Sequence, residues 1–303
     1  MRNHRKIIFV GGVHRSGTTL VQRIMGTHSQ VFAGREFDFT KDIIALRKRL
    51  LVGYESGRIA DLVTPEDIDH AVEGFTTALF ERALEEAGKP ILCEKTPSNA
   101  LVMAELCDSM PEAYCILMMR DPRAIAASMK TVANKYFSNG LRPPPFCASV
   151  AASIKDINQT WRVGLEAMSG RDRIKIVYYE DLVSDPETVV KEICQFAGLT
   201  YEQTMVEPQP LEDRQTHVSD QFWYTQTELA RPITAGKLDN YRTVLSDMEV
   251  ALIERYVLRH PIVARYELGD ASASFQERLA MIWERLKAAK ISQKIRAKGN
   301  GAA

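Results

Sequence analysis

Several things are missing from this sequence, and each absence closes off a class of function. No run of about 18 apolar residues occurs, so no membrane span is expected. Cysteine is sparse and odd in number: Cys93, Cys107, Cys115, Cys147 and Cys194 form no Cys-x-x-Cys pair. That excludes a disulfide framework or a cysteine-based zinc site. It reads as small buried apolar side chains in a reducing compartment, with a cytoplasmic location expected. There is no excess of either charge, with 39 Lys+Arg against 39 Asp+Glu, so no nucleic-acid partner is expected. No linker rich in Pro, Gly or Ser divides the 303 residues, and no internal repeat is present. Residues 1–270 are therefore read as one large α/β domain and residues 271–303 as a helical tail, with 45% hydrophobic residues available for a core. The N-terminal Met1–Lys6 followed by Ile7–Val13 superficially resembles a signal peptide. The apolar run is short and meets His14-Arg15 instead of a small-residue cleavage site, so a first β-strand is the better reading.

What is present centres on Ile7-Ile-Phe-Val-Gly-Gly-Val-His-Arg-Ser-Gly-Thr-Thr-Leu20. Four apolar residues predict a buried strand, Gly11 and Gly12 a sharp turn, and Leu20, Val21, Ile24 and Met25 a helix. Strand, glycine loop and helix together aim backbone N–H groups and a helix dipole at one spot, which suits a phosphate. Gly12-x-x-x-x-Gly17 has P-loop spacing. A nucleotide triphosphatase needs Lys next, then Ser or Thr for magnesium. Thr18 and Thr19 stand there, and the nearest cation is Arg15. Hydroxyls, a guanidinium and no lysine suit a phosphate held without metal, and no acidic residues fall in a magnesium-ligand pattern.

Downstream, Ala33-Gly-Arg-Glu-Phe-Asp38 is a polar loop following the phosphate-binding helix. On charge pattern alone Arg35, Glu36 and Asp38 read as solvated charges. Residues 40–90 read as helical. Thr64-Pro-Glu-Asp67 starts a helix, Ile68, Val72, Phe75, Leu79 and Ala83 form its core stripe, and Gly88 ends it. Ile91–Glu94 is a short strand, and Lys95-Thr96-Pro97 starts a helix reaching about Met110. Lys95 thus sits at a strand's end, where parallel sheets bind ligands; position alone leaves a solvated lysine equally open. Tyr114–Met119 is a fully buried strand. It runs into Arg120-Asp-Pro-Arg-Ala-Ile-Ala-Ala-Ser128, where Asp121 caps a helix begun by Pro122. Arg120 and Ser128 suit a second phosphate; the alternative is an Asp121–Arg123 surface pair on a capped helix.

After the rigid Arg142-Pro-Pro-Pro145 come a helix from about Ala148 to Met168, a strand over Arg173–Tyr179, and a helix from Asp185-Pro186 to Gly198. Residues 200–240 lack periodicity and read as a lid or binding loop. Ser246-Asp-Met-Glu249 is a capping box. The tail carries Arg285, Lys287, Lys290, Lys294, Arg296 and Lys298 with no acid after Glu284. It reads as a solvated terminal helix, with weak contact to an anionic membrane surface as the alternative. Strand–helix alternation predicts a P-loop-type parallel sheet flanked by helices on both faces.

These motifs, in order across about residues 5–260, resemble the PAPS-dependent sulfotransferase family, which moves a sulfuryl group from 3′-phosphoadenosine 5′-phosphosulfate (PAPS) to a hydroxyl or amine. Arg15-Ser-Gly-Thr-Thr-Leu20 is similar to the family's 5′-phosphosulfate loop, which makes Arg15, Ser16, Gly17, Thr18 and Thr19 cofactor-binding residues. Arg120–Ser128 is similar to the 3′-phosphate motif, with Arg120 and Ser128 as its ligands. Val177-Tyr-Tyr-Glu-Asp-Leu182 with Asp185-Pro186 resembles the family's fourth strand and following helix, and places Tyr179 with the cofactor. Glu94-Lys-Thr-Pro97 matches a further segment.

The similarity is greatest to the tyrosylprotein-sulfotransferase-like branch. Its glutamate base falls on Glu36 and its catalytic lysine on Lys95. Val132 stands where the branch has a further basic residue, and Thr225 and Lys237 are assigned to the C-terminal segment that closes on the cofactor. The resemblance implies in-line attack on sulfur by an acceptor hydroxyl deprotonated by Glu36, with Lys95 and Arg15 stabilising the developing charge and no metal. Peptide tyrosine or a saccharide is favoured as acceptor. The rival readings are a P-loop kinase-like phosphotransferase and a non-catalytic nucleotide-binding protein.

Overall fold

The structure is a computed structural model that describes residues 5–207, 220–223, 233 and 238–269. Two compact units are present. The first comprises residues 1–119 and 160–207, the second residues 120–159 and 208–303.

The first unit is built on a five-stranded sheet of β1 (Ile7–Gly12), β2 (Val31–Ala33), β3 (Ile91–Lys95), β4 (Ala113–Met119) and β5 (Ile174–Tyr178). The order is β2-β3-β1-β4-β5, and every pairing is parallel. Every residue of β1 and of β3 is buried, as expected for strands of an all-parallel sheet. Helices flank it: α1 (Thr18–Thr27), α2 (Thr40–Glu55), α3 (Pro65–Ala87), α4 (Met103–Ser109), α7 (Tyr179–Ser184) and α8 (Pro186–Phe196). The second half of α6 (Val150–Ala167) also belongs here, with Gly164 letting the helix lie close to the Leu117 side chain of β4. The α/β class and the parallel sheet expected from the sequence are thus present.

Local detail differs in four places. β2 is only three residues long, too short for a periodicity to reveal. The short α7 precedes α8 where the sequence suggested one helix after the strand. The helix expected from Lys95 to Met110 is broken into a 3-10 turn, Pro97–Leu101, and α4, with Val102 between them at φ −138°. In that turn the Asn99 side chain donates to the Val10 carbonyl at 3.2 Å, tying it to β1. Finally, α3 has its capping box at Thr64–Asp67 and a left-handed Gly88 at its end, but its buried face is not the expected stripe. Ile68 and Val72 are buried, and the face continues through Thr76 and Leu84, while Phe75 and Leu79 are 54% and 46% exposed. Thr76 occupies the core face because its hydroxyl donates to the Val72 carbonyl at 2.7 Å, so it adds no unpaired donor.

The second unit contains α5 (Pro122–Ser138), the first half of α6, α9 (Asp220–Trp223), α10 (Tyr241–Val244) and α11 (Asp247–Tyr256). Asp121 caps α5, accepting from the Arg123 N–H at 2.8 Å. The expected Asp121–Arg123 pair forms, yet it is largely buried, and the guanidinium also donates to Glu254 at 2.7 Å and to the Tyr266 carbonyl at 2.9 Å. Burial works against the Arg123 charge, but its hydrogen bonds to Asp121 and Glu254 outweigh that and raise its pKa. Ser246 and Glu249 form the predicted capping box on α11. Glu249 also accepts from the Lys130 ammonium of α5 at 2.6 and 2.8 Å. The five cysteines are buried and unbridged, as their spacing suggested. No described helix is long and apolar enough to cross a membrane. The tail beyond residue 270 lies outside the described residues.

Burial pushes the Glu249 carboxyl up, but Lys130 and the Ser246 N–H more than offset this, leaving it below its ordinary value of 4.5. Its contribution to stability is therefore complete above pH 4.5 and is lost as the pH falls through the lower folded-state value. Urea unfolding should show Glu249→Gln less stable than the parent at pH 7, with the deficit shrinking below that window.

Candidate active site

The end of β1 and the end of β3 are adjacent by register: Val10 lies opposite Lys95. β1 runs on through Gly11 and Gly12, which pair with Leu117 and Met118 of β4, so the turn expected at these two glycines begins only after Gly12, two residues beyond the one opposite Lys95. Two close approaches shape the loop. A Cβ on Gly11 would lie 2.4 Å from the Ala100 N, and one on Gly17 would lie 2.5 Å from the Tyr179 ring. Gly17 also has φ +103°, open to glycine at little cost. Arg15, at φ +71°, bends the loop on its other side. The Ser16 N–H donates to the Val13 carbonyl at 3.0 Å, and α1 begins at Thr18 with no side chain capping it. Ser16 is fully buried, and its hydroxyl oxygen makes no hydrogen bond. Buried hydroxyls are ordinarily satisfied, so this one is suited to an anionic ligand lying in the loop.

The polar stretch after β2 folds over the end of β3. Gln22 of α1 donates to the Gly34 carbonyl at 2.7 Å. The Phe37 N–H donates to Glu94 Oε1 at 3.2 Å, and the Asp38 N–H to Thr96 Oγ1 at 3.1 Å. Thr96 in turn donates to Glu94 Oε1 at 2.7 Å, and Asn99 to Glu94 Oε2 at 2.5 Å. Burial pushes the Glu94 carboxyl up, while the hydrogen bonds from Asn99, Thr96 and Phe37 and the charge of Lys95 draw it down; burial prevails. Held this way, the segment presents Glu36 to Lys95, whose ammonium donates to Glu36 Oε1. Lys95 is 3% exposed, whereas the Glu36 side chain is 48% exposed. The pair therefore joins a buried cation to a carboxylate that solvent, or a substrate, reaches. The Phe37 ring packs edge-on against Phe39 and Phe80, with centroids 5.4 and 4.9 Å apart.

The structure brings Glu36 onto Lys95 and Tyr179 against Gly17, and Arg15–Thr19 belong to the same unit as these residues. Arg120 and Ser128 belong to the second unit, Arg120 just ahead of the capping Asp121 and Ser128 within α5. Thr225 and Lys237 lie outside the described residues. The polar network of Glu94, Thr96 and Asn99 went unread in the sequence. Its signal was a glutamate following the apolar Ile91–Cys93 in a short buried strand.

Gly17→Ala combines a left-handed φ with a clash, so it should lower stability by more than about 1 kcal/mol. Adding Tyr179→Ala should return part of that loss, because the clash goes and the backbone strain stays. Thermal melts of the two variants check this.

The profile of the sulfotransferase family matches residues 8–203. A protein-tyrosine sulfotransferase of Drosophila melanogaster is 30% identical over 203 residues, 64% of this chain and 38% of the relative. Protein-tyrosine sulfotransferase 2 of Gallus gallus is 30% identical over 213 residues, 68% of this chain and 54% of the relative. The match thus spans about half or less of these two relatives' length. Among solved structures, the sulfotransferase domain of the Synechococcus PCC 7002 olefin synthase aligns with a TM-score of 0.53 at 22% identity, over 82% of this chain and 90% of that one. The sulfotransferase domain of the curacin biosynthetic pathway aligns with a TM-score of 0.54 at 16% identity, over 82% of this chain and 93% of that one. These structural likenesses speak for the fold, and the family match, covering most of the chain, settles its kinship: the protein belongs to the sulfotransferase family.

Proposed function

We propose that the protein transfers a sulfuryl group from PAPS to an acceptor hydroxyl, with Glu36 as general base. The observation that carries this reading is the Glu36–Lys95 pair at the end of β3, which runs alongside β1, the strand leading into the glycine loop. PAPS supplies an electrophilic sulfur on a good leaving group. The buried, unpartnered Ser16 hydroxyl and the uncapped first turn of α1 fit its 5′-phosphosulfate. Glu36 accepts the proton of the acceptor hydroxyl through its solvent-facing side. Lys95, whose ammonium donates to Glu36, offers its charge to the oxygen on which negative charge accumulates, with Arg15. By their sequence motif, Arg120 and Ser128 recognise the 3′-phosphate, and Thr225 and Lys237 complete cofactor binding.

A polar, sizeable acceptor is favoured, peptide tyrosine ahead of a saccharide. Arg35, Asp38 and Lys41 are exposed around Glu36, and the exposed Phe39 ring stands among them. A pocket for small apolar phenols presents mostly apolar walls instead. The tyrosine sulfotransferases among the relatives support the same choice.

Transfer from labelled PAPS to tyrosine peptides, sugars and simple phenols tests the reading. Glu36→Gln should lower kcat about 10²–10⁴-fold with nucleotide affinity kept. Transfer from ATP with magnesium, and none from PAPS, sinks the proposal.

A charge-assisted phosphate contact is worth roughly 1.5–3 kcal/mol, so adenosine 3′,5′-bisphosphate should bind at least tenfold tighter than AMP. Arg120→Ala should abolish that preference in calorimetry.

A further inference from the structure

We infer that Glu94 and Thr96 are positioning residues that hold Glu36 in its working place. The inference rests on the reading of Glu36 as base. Glu94 is 2% exposed and Thr96 2%, so neither side chain is open to an acceptor. Glu94 is nonetheless a carboxylate at the end of a buried strand, where an unpaired charge is strongly unfavourable. Its two oxygens receive three donors: the Phe37 N–H and the Thr96 hydroxyl on Oε1, and the Asn99 amide on Oε2. Thr96 uses its oxygen a second time, accepting the Asp38 N–H. The two residues immediately after Glu36 are therefore both anchored by main chain to this buried pair.

The anchoring also accounts for backbone strain. Asp38 has φ +61°, an unfavourable region for a residue with a side chain. The Thr96 hydroxyl takes its N–H in that conformation. On the other side of Glu36, the Gln22 side chain donates to the Gly34 carbonyl at 2.7 Å, so the segment is tied both ahead of and behind the carboxylate that meets Lys95. Asn99 links the same carboxylate to the Val10 carbonyl of β1, the strand that leads into the glycine loop. The base is thus registered against the phosphate loop through Glu94.

Thr96→Val keeps the shape of the side chain and removes the hydroxyl; Thr96→Ser keeps the hydroxyl. The expected result is a kcat about 10–100-fold lower for Thr96→Val and Glu94→Ala, with the affinity for adenosine 3′,5′-bisphosphate unchanged, and Thr96→Ser within about twofold of the parent. If the two residues act through Glu36, Thr96→Val should cause no further loss in a Glu36→Gln background. Hydrogen exchange gives a readout independent of activity: the Phe37 and Asp38 amides should exchange faster in Thr96→Val than in the parent or Thr96→Ser. Should Glu94→Ala fail to fold, the Thr96 pair decides. Parental kcat in Thr96→Val, losses that add to that of Glu36→Gln, or unchanged exchange at both amides overturns the inference. A parent chain without sulfuryl transfer defeats the functional reading instead, and the exchange measurement still judges the anchoring.

Discussion

A lysine ammonium sits almost fully out of water at the end of β3, and a charge in that place must be answered. Glu36 answers it from the far side of a polar loop. Much of the first unit follows from that demand. The loop must cross the end of β3, so its backbone donors need acceptors there: the buried Glu94 carboxylate takes the Phe37 N–H and the Thr96 hydroxyl takes the Asp38 N–H. Glu94 then needs donors of its own, which Thr96 and Asn99 supply. The Asn99 turn is consequently drawn onto β1, and the helix expected after Pro97 breaks at Val102. One charge at a strand's end is thus linked to the course of the chain over several segments.

The glycine loop shows the opposite economy, with shape set by what is absent. Gly11 and Gly17 each stand where a side chain has no room, against the Ala100 backbone and the Tyr179 ring. Tyr179 opens α7 directly after β5, so a residue far along the chain forms the wall on which the loop rests. Ser16 is enclosed with its hydroxyl turned to no protein partner. A loop so closely packed offers an anion a rigid set of donors, and rigidity is what limits the reorganisation needed when charge develops.

How far the sequence alone could lead depended on the length scale of each signal. The strand, glycine loop and helix at Ile7–Leu20 were legible because composition changes sharply at each boundary. Asp121, Thr64 and Ser246 announced their helices because caps are local chemistry. Glu36 was not legible from charge pattern: half exposed, it looks like any solvated acid, and only the family resemblance singled it out. Glu94 was hidden for the converse reason. A run of buried strand residues invites an apolar reading, and its partners come from Phe37 in the loop, Thr96 and the turn at Asn99, contacts that no local period records. On α3, apolar counting chose Phe75 and Leu79, because it cannot see that a threonine able to satisfy itself is an adequate core residue.

The pairing of Val10 with Lys95 carries a consequence for how such a chain can change in length. Side chains alternate between the faces of a strand, so one residue gained or lost within Ile91–Lys95 would turn Lys95 to the opposite face and exchange its place with that of Glu94. Ahead of β3 the chain has no such rule. Gly88, with open space around it, ends α3 and begins a turn into the strand. Insertions are therefore absorbed at that turn, whereas inside the strand they are tolerable only in pairs. The spacing from the glycine loop to Lys95 is free to drift in number while the parity of β3 stays fixed.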